Sequence, residues 1–173
     1  FYDRGIGTAH GFHETFLERT TVTGLRENFG TIGSAILWAP FYGIADAAVR
    51  IRRAFGSEVP ADGYSHPYVA AVCYGSAFYG MAALVLSALA ARRVAGAGIA
   101  AAAAVWLGTP LLFYMSLSPV MAHAPGAFAV AAFVLTWLIV REEWSARGLI
   151  ALGALAALMT MVREQDLFII GGP

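Results

Sequence analysis

The stretch PYVAAVCYGSAFYGMAALVLSALAA, Pro67 to Ala91, runs for twenty-five residues without a charged side chain. A helix of that length is about 37 Å long at about 1.5 Å per residue, more than the hydrocarbon core of a bilayer, about 30 Å. The run therefore reads as a membrane-crossing helix, and Arg92-Arg93 closes it. The whole chain has the same character. Of its 173 residues 59% are hydrophobic and 13% charged, and its mean hydropathy is +0.67. In soluble domains about a quarter of residues are charged. The expected class is all-α integral membrane. The formal net charge is +0, with arginine supplying every cation, so there is no basic excess to draw the chain to nucleic acid. Cys73 lies alone inside the apolar run and reads as a packing residue.

Working outward from 67–91, three further spans are expected. One covers 94–114, with the alanine run at 100–104 and a bend at Gly108-Thr109-Pro110, where proline removes a backbone donor. Another covers 125–140, stopped by Arg141-Glu142-Glu143. A fourth covers 148–162 and is short unless Leu167 to Ile170 extend it beyond Arg163-Glu164-Gln165-Asp166. On the N-terminal side, 50–66 is a polar loop, and 1–31 is a polar, aromatic segment expected in water at the outer side. Between them 32–49 is apolar, yet broken by Pro40 and carrying Asp46. It reads as a juxtamembrane or re-entrant helix in preference to a span, with Trp38, Phe41 and Tyr42 as interfacial anchors. The fold expected is four spanning helices plus this one short helix.

Arg92-Arg93, Arg141 and Arg147 assign their two hairpins to the cytoplasmic side by the positive-inside rule. The loop Leu117 to Ala122 with His123, and the cluster Arg163 to Asp166, then face outward. His123 stands between Pro119 and Pro125 in an otherwise apolar stretch. It is either a ring satisfied at the interface or a donor to a phosphate or sugar oxygen. Arg163 and Asp166, three residues apart, could pair on a helix. The alternative gives Arg163 to a lipid phosphate, whose oxygens match the guanidinium fork, with Gln165 and Asp166 orienting it or meeting a sugar hydroxyl.

Elsewhere the chemistry is thin. His10-Gly11-Phe12-His13-Glu14 lacks the spacing of a helical zinc site, so no metal site is expected there, and no phosphate loop, nucleophile elbow or dinucleotide fingerprint occurs. No soluble cofactor is evident. Asp3 and Glu14 are the early carboxylates that resemble a general base, each more readily explained as a solvated charge.

Four stretches in order, Asn28 to Tyr42, Gly108 to Tyr114, Ser118 to Pro125 and Val162 to Asp166, together resemble the polytopic GT-C type glycosyltransferases of the protein-mannosyltransferase and aminoarabinose-transferase group. The resemblance implies transfer of a sugar from a polyprenyl-phosphate donor to an acceptor at the outer face of a membrane, here the bacterial inner membrane. It implies that 32–49 is a juxtamembrane helix and that His123 and Arg163 face the active site. Members of the group use an acidic residue early in the first outer loop as base. The chain begins at Phe1 without methionine and reads as a piece of a longer one, so that residue is expected before Phe1, with Asp3 the secondary candidate. Some members use a divalent metal and others do not. The competing expectation is a non-catalytic accessory subunit docked on other transmembrane subunits through alanine- and glycine-rich faces such as Ser76/Gly80 and Gly153/Ala157.

Overall fold

The computed structural model describes residues 22–24 and 31–171. The chain divides into two units, Phe1–Thr31 and Ile32–Pro173. Of the first, little beyond a turn at residues 22–24 is described. The second is a helical bundle, and no strand occurs among the described residues. Its elements are α1 (Ile32–Ala54), α2 (His66–Ala95), α3 (Gly98–Gly108), α4 (Leu111–Ser116), α5 (His123–Val140), α6 (Ala146–Val162) and a 3-10 helix, Glu164–Gly171. Three of these, α1, α2 and α5, are long and apolar enough to cross a membrane.

α2 is built inside out relative to a helix in water. Its buried face carries Gly75, Ser76, Gly80 and Ala83, while Tyr74, Phe78, Met81, Val85 and Leu89 are exposed. Small residues let neighbouring helices approach; large apolar ones are turned out, an arrangement suited to lipid and costly in water. The helix continues through Arg92 and Arg93, whose charge suits the negative end of the helix dipole, and stops at Gly96, which takes the left-handed conformation at φ 72° and returns its N–H to the Arg92 carbonyl.

The span expected at 94–114 is not one helix. Thr109 is extended and Pro110 starts a new turn, leaving α3 with 11 residues and α4 with 6. Thr109 Oγ1 donates to the Val105 carbonyl at 2.6 Å and accepts from the Leu111 amide at 3.3 Å. The threonine thus satisfies the backbone groups on both sides of the break that Pro110 enforces. α6, at 17 residues, ends at Val162; Leu167 to Ile170 do not prolong it but belong to the separate 3-10 helix.

α1 is longer than 32–49, taking five residues from the loop expected at 50–66 and passing through Pro40 without stopping. Proline at 40 disturbs the carbonyls one turn back, and a neighbouring helix supplies a donor there: Tyr79 Oη of α2 donates to the Leu37 carbonyl at 2.9 Å. Trp38 Nε1 donates to the buried Ser76 hydroxyl at 2.9 Å. Further along, Tyr68 Oη donates to Asp46 Oδ1 at 2.9 Å, and Arg50 Nε to Asp46 Oδ2 at 2.7 Å. The connection back to α2 is held by Asp62, whose Oδ1 accepts from the amides of Tyr64 and Ser65 at 2.9 and 2.8 Å. Those two donors keep the carboxyl below its usual range.

These pairings set α1 antiparallel to the N-terminal half of α2. The other helices use the C-terminal half: Leu84 packs with Leu111 and Ala124, and Arg93 Nη1 meets Glu142 Oε1 at 3.1 Å. α1 begins where α6 ends, with Gly33 against the backbone of Met161 and Val162. So α1 on one side and α3, α4 and α5 on the other share α2 largely end to end, and α6 packs on α5. α2, at 30 residues, is long enough for this, about 45 Å. The Arg93–Glu142 contact also puts the two arginine-bearing connections at one end of the bundle, with His123 and Arg163 at the opposite ends of α5 and α6.

Candidate functional site

The corner where α4, α5 and the end of α6 meet gathers polar groups from two distant segments. After α4, a tight turn reverses the chain: Leu117 and Ser118 amides donate to the Phe113 carbonyl at 2.8 and 3.1 Å, and the Met121 amide to the Ser118 carbonyl at 3.3 Å. This turn lays the His123 ring on the Tyr114 ring, with centroids 3.7 Å apart and planes at 28°. His123 is not held in a loop between two prolines, as the sequence suggests. It is the first residue of α5, two residues before the expected start at Pro125. Pro125 falls in the first turn, where a missing N–H costs no helix bond, and the first intrahelical bond is donated by Gly126 to the Ala122 carbonyl at 2.8 Å.

Gly126 is three residues beyond His123, on the same helix face. It is buried, and a Cβ there would come within 2.9 Å of Arg163 Cδ and 3.5 Å of Asp166 Oδ2. The absent side chain lets the arginine stem and the carboxylate lie over the first turn of α5. Arg163 is in extended conformation (φ −148°, ψ 115°) between α6 and the 3-10 helix, its amide donating to Met159. Because the helix has ended, Arg163 and Asp166 do not form the helical ion pair that their spacing permits. Their link is a backbone bond, the Asp166 amide to the Arg163 carbonyl at 3.0 Å.

Asp166 Oδ2 is buried with no hydrogen-bond partner among the described residues. Burial pushes its carboxyl above the usual range, against the opposing pull of Arg163 and His123. A folded-state value raised above the unfolded one means that the stabilising contribution is present in acid and is lost as pH rises through the folded value. Asp166→Asn is therefore expected to raise the melting temperature near neutral pH and to leave it unchanged in acid. A shift of equal size at every pH would contradict the burial argument.

Gln165 is exposed on the 3-10 helix and makes no side-chain hydrogen bond among the described residues, so it does not join this corner. Asp3, His10, His13 and Glu14 lie outside the described residues. Tyr114 and Gly126 are members of the corner that composition does not mark. No group of three or more His, Cys, Asp or Glu side chains able to hold a metal ion occurs among the described residues; His123 and Asp166 alone do not make a ligand set.

Chemically the corner offers a planar cation, an imidazole fixed by stacking, a carboxylate lacking a partner, and the N-terminus of an 18-residue helix, whose free amides and dipole favour an anion. Comparison with protein-family models, with curated proteins and with solved structures finds no match for this chain.

Proposed function

We propose that the chain is the membrane part of a transferase that takes a sugar from a polyprenyl-phosphate donor and passes it to an acceptor at the outer face of a membrane. The observation that carries this reading is the convergence of Arg163 and Asp166 on the face of α5 that begins with His123. When the bond from sugar to phosphate breaks, negative charge grows on the phosphate. Arg163 and the free amides at the start of α5 stabilise that charge, in a site where they are already in position. His123, held against Tyr114, donates to a phosphate or sugar oxygen, and Asp166 orients Arg163 or accepts from a sugar hydroxyl. The base that deprotonates the acceptor is assigned to none of the described residues, and no step is routed through a metal.

In this reading the bilayer covers about the C-terminal two-thirds of α2 together with α5, α6 and the broken α3–α4 pair, giving four crossings, and α1 packs beside the N-terminal part of α2 at the outer side. The length of α2 supports it, since about 45 Å exceeds a core of about 30 Å. So does the division of α1 into faces: Gly33, Leu37, Phe41, Ala45 and Val49 form one line, Tyr42, Asp46, Arg50 and Arg53 another.

Sided labelling of sealed vesicles tests the arrangement. In a Cys73→Ser background, Val120→Cys and Glu164→Cys are expected to react from the outer compartment and Glu142→Cys from the inner one. In the full-length protein, His123→Ala is expected to lower sugar transfer from a polyprenyl-phosphate donor. Labelling of positions 120 and 164 from opposite sides, or transfer unaffected by the histidine change, would remove the basis for the reading.

The accessory-subunit reading draws on α3, which has no buried residue and turns out Ile99, Trp106 and Leu107. Co-purification with other membrane subunits in fixed ratio, together with no binding of polyprenyl phosphate, favours it.

A further inference from the structure

A second feature lies at the opposite end of the bundle, where the two arginine-bearing connections meet. The charge-free runs of α2 and α5, both long enough to span, stop at Arg92 and Arg141, and the contact of Arg93 with Glu142 puts these two stops at one level. Trp137, with the Arg141 guanidinium 4.7 Å above its ring, and the exposed Trp144 stand at the same end, as aromatic side chains do where hydrocarbon meets headgroups. Just inside that level two clefts flank Leu89. One, of about 460 Å³, runs between α2 and α5 and is lined by Leu89, Arg92, Arg93, Leu135 and Ile139. The other, of about 500 Å³, lies between Ala88, Leu89 and Arg92 of α2 and the start of α3. Arg92 lines both and makes no side-chain hydrogen bond or ion pair among the described residues, whereas Arg93 is paired with Glu142. The mouth of the clefts thus carries one uncompensated positive charge.

We propose that an anionic phospholipid of the surrounding bilayer docks here, its phosphate on Arg92 and its two acyl chains in the clefts on either side of Leu89. The inference rests on the chain being a membrane protein and not on the sugar-transfer reading. Charge selects the headgroup: a basic pocket between spanning helices draws an anionic head, whereas a zwitterionic one brings its own cation to the same place. Shape selects the body. Spanning helices approach one another through small residues, but the cleft between α2 and α5 is walled by Leu89, Leu135 and Ile139. These hold another backbone off, while a hydrocarbon chain lies between them lengthwise and has no polar group to satisfy. The polyprenyl donor shares the phosphate-and-hydrocarbon chemistry but has a single chain, which leaves one cleft unfilled. Its proposed phosphate site is also a full helix away: α5, 18 residues long and about 27 Å from end to end, separates this mouth from the corner at His123. The clefts therefore commit to the bilayer phospholipid.

The test uses the full chain in nanodiscs of phosphatidylcholine containing a minority of phosphatidylglycerol, followed by mild detergent extraction and mass measurement of retained lipid. The wild type is expected to retain phosphatidylglycerol in preference to phosphatidylcholine. Arg92→Ala is expected to lower that retention about fivefold, the effect of one cation at an anionic surface. Glu142→Gln frees Arg93 and is expected to act in the opposite direction, raising retention by a similar factor. Ile139→Trp, which fills the cleft from an exposed position, is expected to lower retention of either lipid. Arg147→Ala removes a charge at the same end of the bundle but outside the clefts and is expected to change nothing; circular dichroism verifies helicity in each variant. Equal retention of both lipids by the wild type, retention undiminished in Arg92→Ala or lowered in Glu142→Gln, or an equal loss in Arg147→Ala would each overturn the proposal. So would a second copy of the chain retained in place of lipid, or displacement of phosphatidylglycerol by inorganic phosphate or by polyprenyl phosphate.

Discussion

Arg163→Ala is expected to weaken binding of polyprenyl phosphate by about 10- to 100-fold, the loss of one charge-assisted hydrogen-bonding group. The size of the effect follows from what surrounds the side chain. Its stem lies over Gly126, its guanidinium has no hydrogen-bond partner among the described residues, and the nearby carboxylate Oδ2 of Asp166 is buried without one. The fold makes no hydrogen bond with the guanidinium, so its removal should show in ligand affinity more than in melting temperature. Arg163→Lys is expected to recover only part of the affinity, since an ammonium restores the charge without the planar fork. Raising the salt concentration should weaken the wild type more than Arg163→Ala if the contact is reached from water. Titration with a short-chain polyprenyl phosphate in detergent measures all three. Equal affinity of wild type and Arg163→Ala would disprove the phosphate role, and with it the strongest support for sugar transfer.

Much of the bundle can be read directly from charge-free runs, because a helix in lipid leaves a long apolar signature whatever its neighbours do. α2 and α5 are found that way to within a few residues. The breaks are harder. Hydropathy sees 94–114 as continuous, while the geometry depends on Thr109 and Pro110 acting together on the carbonyl of Val105 and the amide of Leu111. Two arginines at 92 and 93 look like an end, yet a last helical turn accepts them because its dipole favours cations. At His123 the neighbouring prolines suggest a rigid loop; a proline in a first turn is equally compatible with helix, and tertiary packing decides for the latter.

The site is less legible for a related reason. The polar residues His123, Arg163 and Asp166 stand out against an apolar background, since any such group in lipid must find a use or a partner. Their meeting point does not stand out. It depends on α6 running back alongside α5 and ending in an extended residue, which turns a plausible helical pair, Arg163 with Asp166, into two separate groups laid over Gly126. Tyr114 enters only through the turn at 117–122. Gln165, adjacent in sequence, is carried outward by the 3-10 helix. Neighbours in sequence therefore separate, and residues forty apart come together, on account of one change in backbone conformation at position 163.

That dependence gives the second large effect. At Gly33 a Cβ would overlap the backbone of Met161 and Val162, atoms that cannot rotate aside as a side chain can. Gly33→Ala must move α1 away from the end of α6, an overpacking cost of about 1–3 kcal/mol, and Gly33→Leu should cost more. Gly43 lies in the same helix with nothing within 4 Å of the equivalent position. There alanine is expected to stabilise by up to about 1 kcal/mol through helix propensity alone. Thermal unfolding in detergent should accordingly move in opposite directions for two identical substitutions ten residues apart. Because Val162 directly precedes Arg163, the shift forced by alanine at 33 should also lower affinity for polyprenyl phosphate, whereas alanine at 43 should not. A Gly33→Ala protein that melts and binds like the Gly43→Ala protein would mean that α1 does not seat against the end of α6, and the seat for Arg163 would lose its support.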